Sequence, residues 1–68
     1  MSNVHKSTLI KLDFKEGSSF SERQANINYS VSMHYEKLRE GGMYPIGHKV
    51  TRSDGKSASI IIEYLENT

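Results

Sequence analysis

The stretch HKVTRSDGKSASIIIEY, residues 48–64, constrains this chain more than any other, because it reads as a β-hairpin with only two sensible ways to pair. Asp54-Gly55 marks the turn. A two-residue turn sets Val50 opposite Ser59 and Thr51 opposite Ala58, which divides the apolar side chains between the two faces. A three-residue loop, Ser53-Asp54-Gly55, sets Arg52 opposite Lys56, Val50 opposite Ala58, His48 opposite Ile60, Ile46 opposite Ile62 and Tyr44 opposite Tyr64. A slip of one residue turns every side chain over, so the register that collects the apolar residues on one face is expected. It requires Gly55 in the left-handed region. Pro45 lacks a backbone donor and is expected before the strand proper or on an outer edge.

Upstream, TLIKLDF (residues 8–14) alternates, with Ile10, Leu12 and Phe14 on one side and Lys11 and Asp13 on the other, as a half-buried strand does. Gly17 and its serine neighbours break the pattern. Ser19 followed by Glu22 is a helix-start signature, and EKLREGG ends on a glycine pair of the kind that closes helices in the left-handed conformation.

Between these signals NINYSVSMHY (residues 26–35) alternates with period two, so helix and strand compete for the same ten residues. As a helix over about residues 21–40, it aligns Phe20, Ile27, Val31, Tyr35 and Leu38 in one stripe and leaves Tyr29 and Met33 outside. As a strand it turns Ile27, Tyr29, Val31, Met33 and Tyr35 to the same side. The flanking signals favour the helix. The expected fold is α+β, strand-helix-hairpin (β-α-β-β), with one amphipathic helix on a small antiparallel sheet. The alternative is an all-β four-stranded antiparallel sheet with residues 24–36 as a long strand. Residues 1–68 form a single domain, with a short flexible N-terminus over 1–6.

A chain of 68 residues has a thin core, and the absence of cysteine removes both disulfides and thiolate chemistry. Self-association or a partner is the remaining supplement. Nine Lys and Arg against eight Asp and Glu produce no global field towards nucleic acid or anionic lipid. Lys6, Lys11 and Asp13 interrupt the apolar residues of the first 14, so no signal-peptide core or membrane span is expected and the chain reads as cytoplasmic.

His5, His34 and His48 have no close ligand spacing, and no metal or cofactor is expected. His48 reads as a histidine on the apolar face satisfied by a local hydrogen bond. Neither a G-x-S-x-G elbow nor a phosphate loop occurs, so no enzymatic activity is expected.

Two binding surfaces remain. Tyr29 and Met33, with His34 and Tyr44 nearby, are residue types that interfaces enrich. They point to a small non-enzymatic regulator or inhibitor, of the type carried by phages and mobile elements, that occludes a surface of a larger host or phage protein or docks as a homodimer. The second surface is basic: Lys49, Arg52 and Lys56 surround the hairpin turn and suit phosphate. YSVSMHYEKLREGGM followed by the hairpin resembles the second half of a winged-helix DNA-binding domain, over residues 29–64. That resemblance implies a recognition helix presenting Ser30, Ser32, His34 and Arg39 to DNA, with Val31, Tyr35 and Leu38 packed inward and the hairpin as the wing. The fold of that family asks for an earlier helix where STLIKLDF alternates like a strand.

Overall fold

The computed structural model describes residues 3–67. In chain order they form β1 (Asn3–Asp13), α1 (Phe20–Glu40), β2 (Tyr44–Ser53) and β3 (Ser57–Asn67). The three strands make one antiparallel sheet in the order β1-β3-β2, with α1 packed on one face. This is the α+β, β-α-β-β architecture expected from the sequence, and the all-β alternative is excluded. β1 begins at Asn3, so Asn3 to Lys6 pair with Tyr64 to Asn67 where a flexible terminus was expected, and Met1 and Ser2 lie outside the described residues.

The helix forms where its end signals place it. Ser19 Oγ accepts from the Glu22 N–H at 3.2 Å, and its hydroxyl also donates to the Glu22 carboxylate at 3.3 Å. At the other end Gly42 N–H donates to the Arg39 carbonyl and Met43 N–H to the Leu38 carbonyl, the paired bonds of a Schellman closure. Gly42 holds φ at +80°, where a Cβ is strained. Between the caps, Ile27, Ser30 and Val31 are buried and His34, Tyr35 and Leu38 half-buried, a stripe of period 3.6. Tertiary packing thus overrides the alternation. Phe20 departs from the expected stripe: it is 73% exposed. It opens the helix two turns ahead of Ile27, about 10 Å along the axis, and does not reach the core.

Ile10, Ile27, Val31, Ala58, Ile60 and Ile62 form that core, with Leu12, Phe14, Tyr35 and Leu38 against it. Ile60 and Ile62 are wholly buried because β3 is the central strand and the helix covers this face. Ile61, Leu9 and Leu65 alternate to the other face of the sheet, which no described element covers.

The hairpin register differs from expectation by two residues. Val50 pairs with Ile60, His48 with Ile62, Pro45 with Tyr64 and Tyr44 with Leu65. A shift of two keeps Val50 and His48 on the helix-covered face, so the one-face principle holds for them. Two bulges account for the rest: the register slips between Val50 and Arg52 and between Pro45 and Gly47, leaving Thr51 and Ile46 without partners. The second bulge carries Tyr44 to the uncovered face. Gly55 does not take the left-handed conformation, which among the described glycines belongs to Gly17 and Gly42. The turn is held instead by Asp54, whose carboxylate accepts from the N–H groups of Lys56 and Ser57, each at 2.8 Å.

Those two bonds keep the Asp54 carboxyl below the usual carboxylate range. A depressed folded pKa means that the stabilisation is fully present above the unfolded value and is lost as pH falls through the folded one. Asp54→Ala is therefore expected to lower the melting temperature by a constant amount at neutral pH. The gap between variant and parent should close below about pH 4, as thermal melts over a pH series would show. A gap independent of pH would assign the effect to something other than the charged carboxylate.

Candidate functional site

Tyr29 and Met33 lie one helical turn apart and are 67% and 40% exposed. They do not stand alone. With Asn26, Ser30, His34 and Lys37 of α1 and Leu12 and Asp13 of β1, they line a groove of about 350 Å³ between the helix and the outer edge of the sheet. Leu12, Tyr29 and Met33 supply apolar wall. The polar lining comes from Asn26, His34 and Lys37 of the helix and from Asp13 at the end of β1. The His34 ring donates its Nδ1–H to the Ser30 carbonyl at 2.8 Å, one helical turn back. In the neutral ring that bond leaves Nε2 as an acceptor. Such an arrangement can hold an amphipathic segment by apolar contact and fix it with a few hydrogen bonds.

Tyr44 does not join this group. It stands 58% exposed on β2, the opposite edge strand, where it lines a separate groove with Arg39, Gly42, Met43 and Pro45. Its displacement follows from the bulge at Ile46. Leu12, Asp13, Asn26 and Lys37 were not legible as site residues. Their membership depends on how α1 crosses the sheet relative to the end of β1, which no local pattern in the sequence encodes.

The residues assigned to nucleic acid are divided by the fold. Ser30 is buried on the sheet side of α1, at the floor of the α1/β1 groove, and is not presented on an outward recognition face. Arg39 places its guanidinium 5.9 Å from the centre of the Tyr35 ring. Tyr35 in turn shares a hydrogen bond of 3.1 Å with His48 Nδ1, the rings meeting edge to face at 6.0 Å. Helix and β2 are tied by this bond, so the partner of His48 is a helix residue distant in the chain where a local one was expected. Ser32 is exposed on the helix.

Lys49 and Arg52 pair with Ile61 and Ser59, so they project from the uncovered face of the sheet, away from α1. Lys56 sits in the hairpin turn. No single surface presents Ser30, Ser32, Arg39 and the basic hairpin together. β1 stands where the winged-helix family has an earlier helix, and α1 turns Ser30 into its own sheet, whereas Val31, Tyr35 and Leu38 pack inward as that resemblance implies.

His5 lies 3.8 Å from the Glu63 carboxylate, His34 on its own helix and His48 against Tyr35. Among the described residues no three His, Asp or Glu side chains gather as a metal site, and no helix is long and apolar enough to cross a membrane. No family model, curated protein or solved structure matches the chain.

Proposed function

We propose that this chain is a small, non-enzymatic, cytoplasmic binding protein that acts by seating a segment of a larger protein in the groove between α1 and β1. The observation that carries this reading is the convergence of Tyr29 and Met33 from the helix with Leu12 from the strand. Scattered exposed apolar residues are ordinary, but an aromatic, a flexible thioether and a leucine around one groove form the kind of anchor site that dominates binding energy. Occlusion of the partner's surface is the mode of action that such a chain supports, and a regulator or inhibitor of phage or mobile-element type fits its size and lack of cysteine.

The test is affinity capture from nuclease-treated host lysate, followed by titration of the captured protein with variants. Tyr29→Ala and Met33→Ala are each expected to weaken binding by about 1–2 kcal/mol or more, roughly tenfold per 1.4 kcal/mol. Lys49→Ala and Arg52→Ala, on the far face, are expected to leave it nearly unchanged. The reverse pattern, with a steep loss of affinity in salt, would overturn the groove as the binding surface.

A further inference from the structure

The edges of the sheet are treated very differently. β2 carries three features that discourage strand addition: Pro45, which has no donor, and the bulges at Ile46 and Thr51. β1 has none of them, and its register with β3 runs without a slip from Asn3 to Asp13. The direction of its free backbone groups can be derived. Phe14 N–H donates to the Lys56 carbonyl at 2.8 Å, continuing that register by one step. Hydrogen-bonded positions alternate along an antiparallel ladder, so the even-numbered residues of β1 bond to β3. The N–H and C=O groups of Asn3, His5, Ser7, Leu9, Lys11 and Asp13 therefore point outward, along an edge that no other described strand covers.

We infer that this edge is closed by β1 of a second copy, in antiparallel register about a two-fold axis through Leu9. The side chains of β1 are self-complementary in that register. Leu9, which is 56% exposed, meets Leu9 of the second copy on the uncovered face of the sheet. His5 falls opposite Asp13 and Ser7 opposite Lys11; on the helix-covered face Val4 meets Phe14. Centring the axis on Thr8 instead sets His5 against Lys11 and Leu9 against Ser7. Centring it on Ser7 sets His5 against Leu9. The Thr8 and Ser7 axes join apolar residues only on the helix-covered face, Val4 with Leu12 and Val4 with Ile10. The Leu9 axis alone joins apolar to apolar on the uncovered face and acid to imidazole, cross-strand pairs that stabilise a sheet.

The shape of the single copy gives a second reason. It measures 48 × 19 × 13 Å between extreme Cα positions. It exposes 5006 Å², whereas the usual scaling gives about 4300 Å² for a monomer of this mass. A thin slab with so few buried side chains is the case that self-association supplements. The product is a continuous sheet in the order β2-β3-β1-β1-β3-β2 with both helices on one face. Each α1/β1 groove then gains a second floor strand, and His5 of the second copy comes beside Asp13. This assembly is isologous and closed, so it leaves only the bulged β2 edges free.

Sedimentation of the intact chain from micromolar to millimolar concentration, with amide hydrogen exchange by NMR, tests the inference. A dimer is expected in which the amides of Ser7, Leu9 and Lys11 exchange slowly, while those of His48 and Val50 on the β2 edge exchange fast. Leu9→Lys places like charges on the axis and is expected to weaken self-association roughly tenfold or more. Its circular dichroism should match the parent, and its Ser7 and Lys11 amides should lose protection. A chain that stays monomeric at millimolar concentration overturns the inference. So does a dimer whose Ser7 and Leu9 amides exchange as fast as His48, or one that Leu9→Lys leaves intact. Leu9 does not line the groove assigned to the protein partner, so failure here and failure of the Tyr29 and Met33 variants are separate results.

Discussion

Ile60→Ala is expected to leave the isolated chain largely unfolded at room temperature. Ile60 has no exposed surface, lies on the central strand and is flanked by Ile10 and Val50 on either side. Truncating a fully buried isoleucine costs about 2–5 kcal/mol, through lost transfer energy and the cavity left behind. A core of this size contributes only about 3–5 kcal/mol in total, so one substitution removes most of the margin. The control is Ile46→Ala, in the same sheet but 52% exposed at a bulge, where an effect within about 0.5 kcal/mol is expected. Urea titrations followed by far-ultraviolet circular dichroism measure both. Equal losses at the two positions would show that the core is not centred on β3.

Val31→Asp is expected to be as damaging, and Tyr29→Asp nearly harmless. Val31 is buried against the sheet, where a carboxylate is removed from water without a partner, at a cost of several kcal/mol. Tyr29 faces outward across the helix, so an aspartate there costs only its mid-helix disadvantage, some tenths of a kcal/mol. The pair discriminates between the two periods read in residues 26–35. In a strand, positions 29 and 31 share a face and substitutions at both would cost alike. In the helix they are some 200° apart. Loss of dispersed amide resonances in Val31→Asp but not in Tyr29→Asp is the expected result; loss in both would restore the strand reading.

The helix illustrates how far local signals reach. Ser19 with Glu22 at one end and the Gly41-Gly42 pair at the other are bonds between near neighbours, and the sequence displays them directly. The middle is ambiguous because Ser30 and His34 occupy core-side positions of the stripe, where apolar residues would have announced the helix. Ser30 is tolerated there because it is small, and His34 because its ring bonds back to the Ser30 carbonyl.

The hairpin shows the opposite limit. Its existence and its apolar face were legible in the alternation around Asp54-Gly55, but its register was not. Bulges at Ile46 and Thr51 depend on how β2 fits β3 over its whole length, and Asp54 replaces the left-handed glycine with side-chain hydrogen bonds. Tyr44 was misplaced for the same reason, since one extra residue in a strand inverts every side chain beyond it.

By itself, the sequence determined the order of elements, the ends of the helix, the exposure of Tyr29 and Met33, and most of the core, because each rests on periodicity or on bonds within a few residues. Only the tertiary structure decided which strand is central, where the bulges fall, and that Leu12 and Asp13 sit beside Tyr29 and Met33. It also divided the basic residues between opposite faces. These are relations between segments distant in the chain, set by how one sheet and one helix fill a shared space.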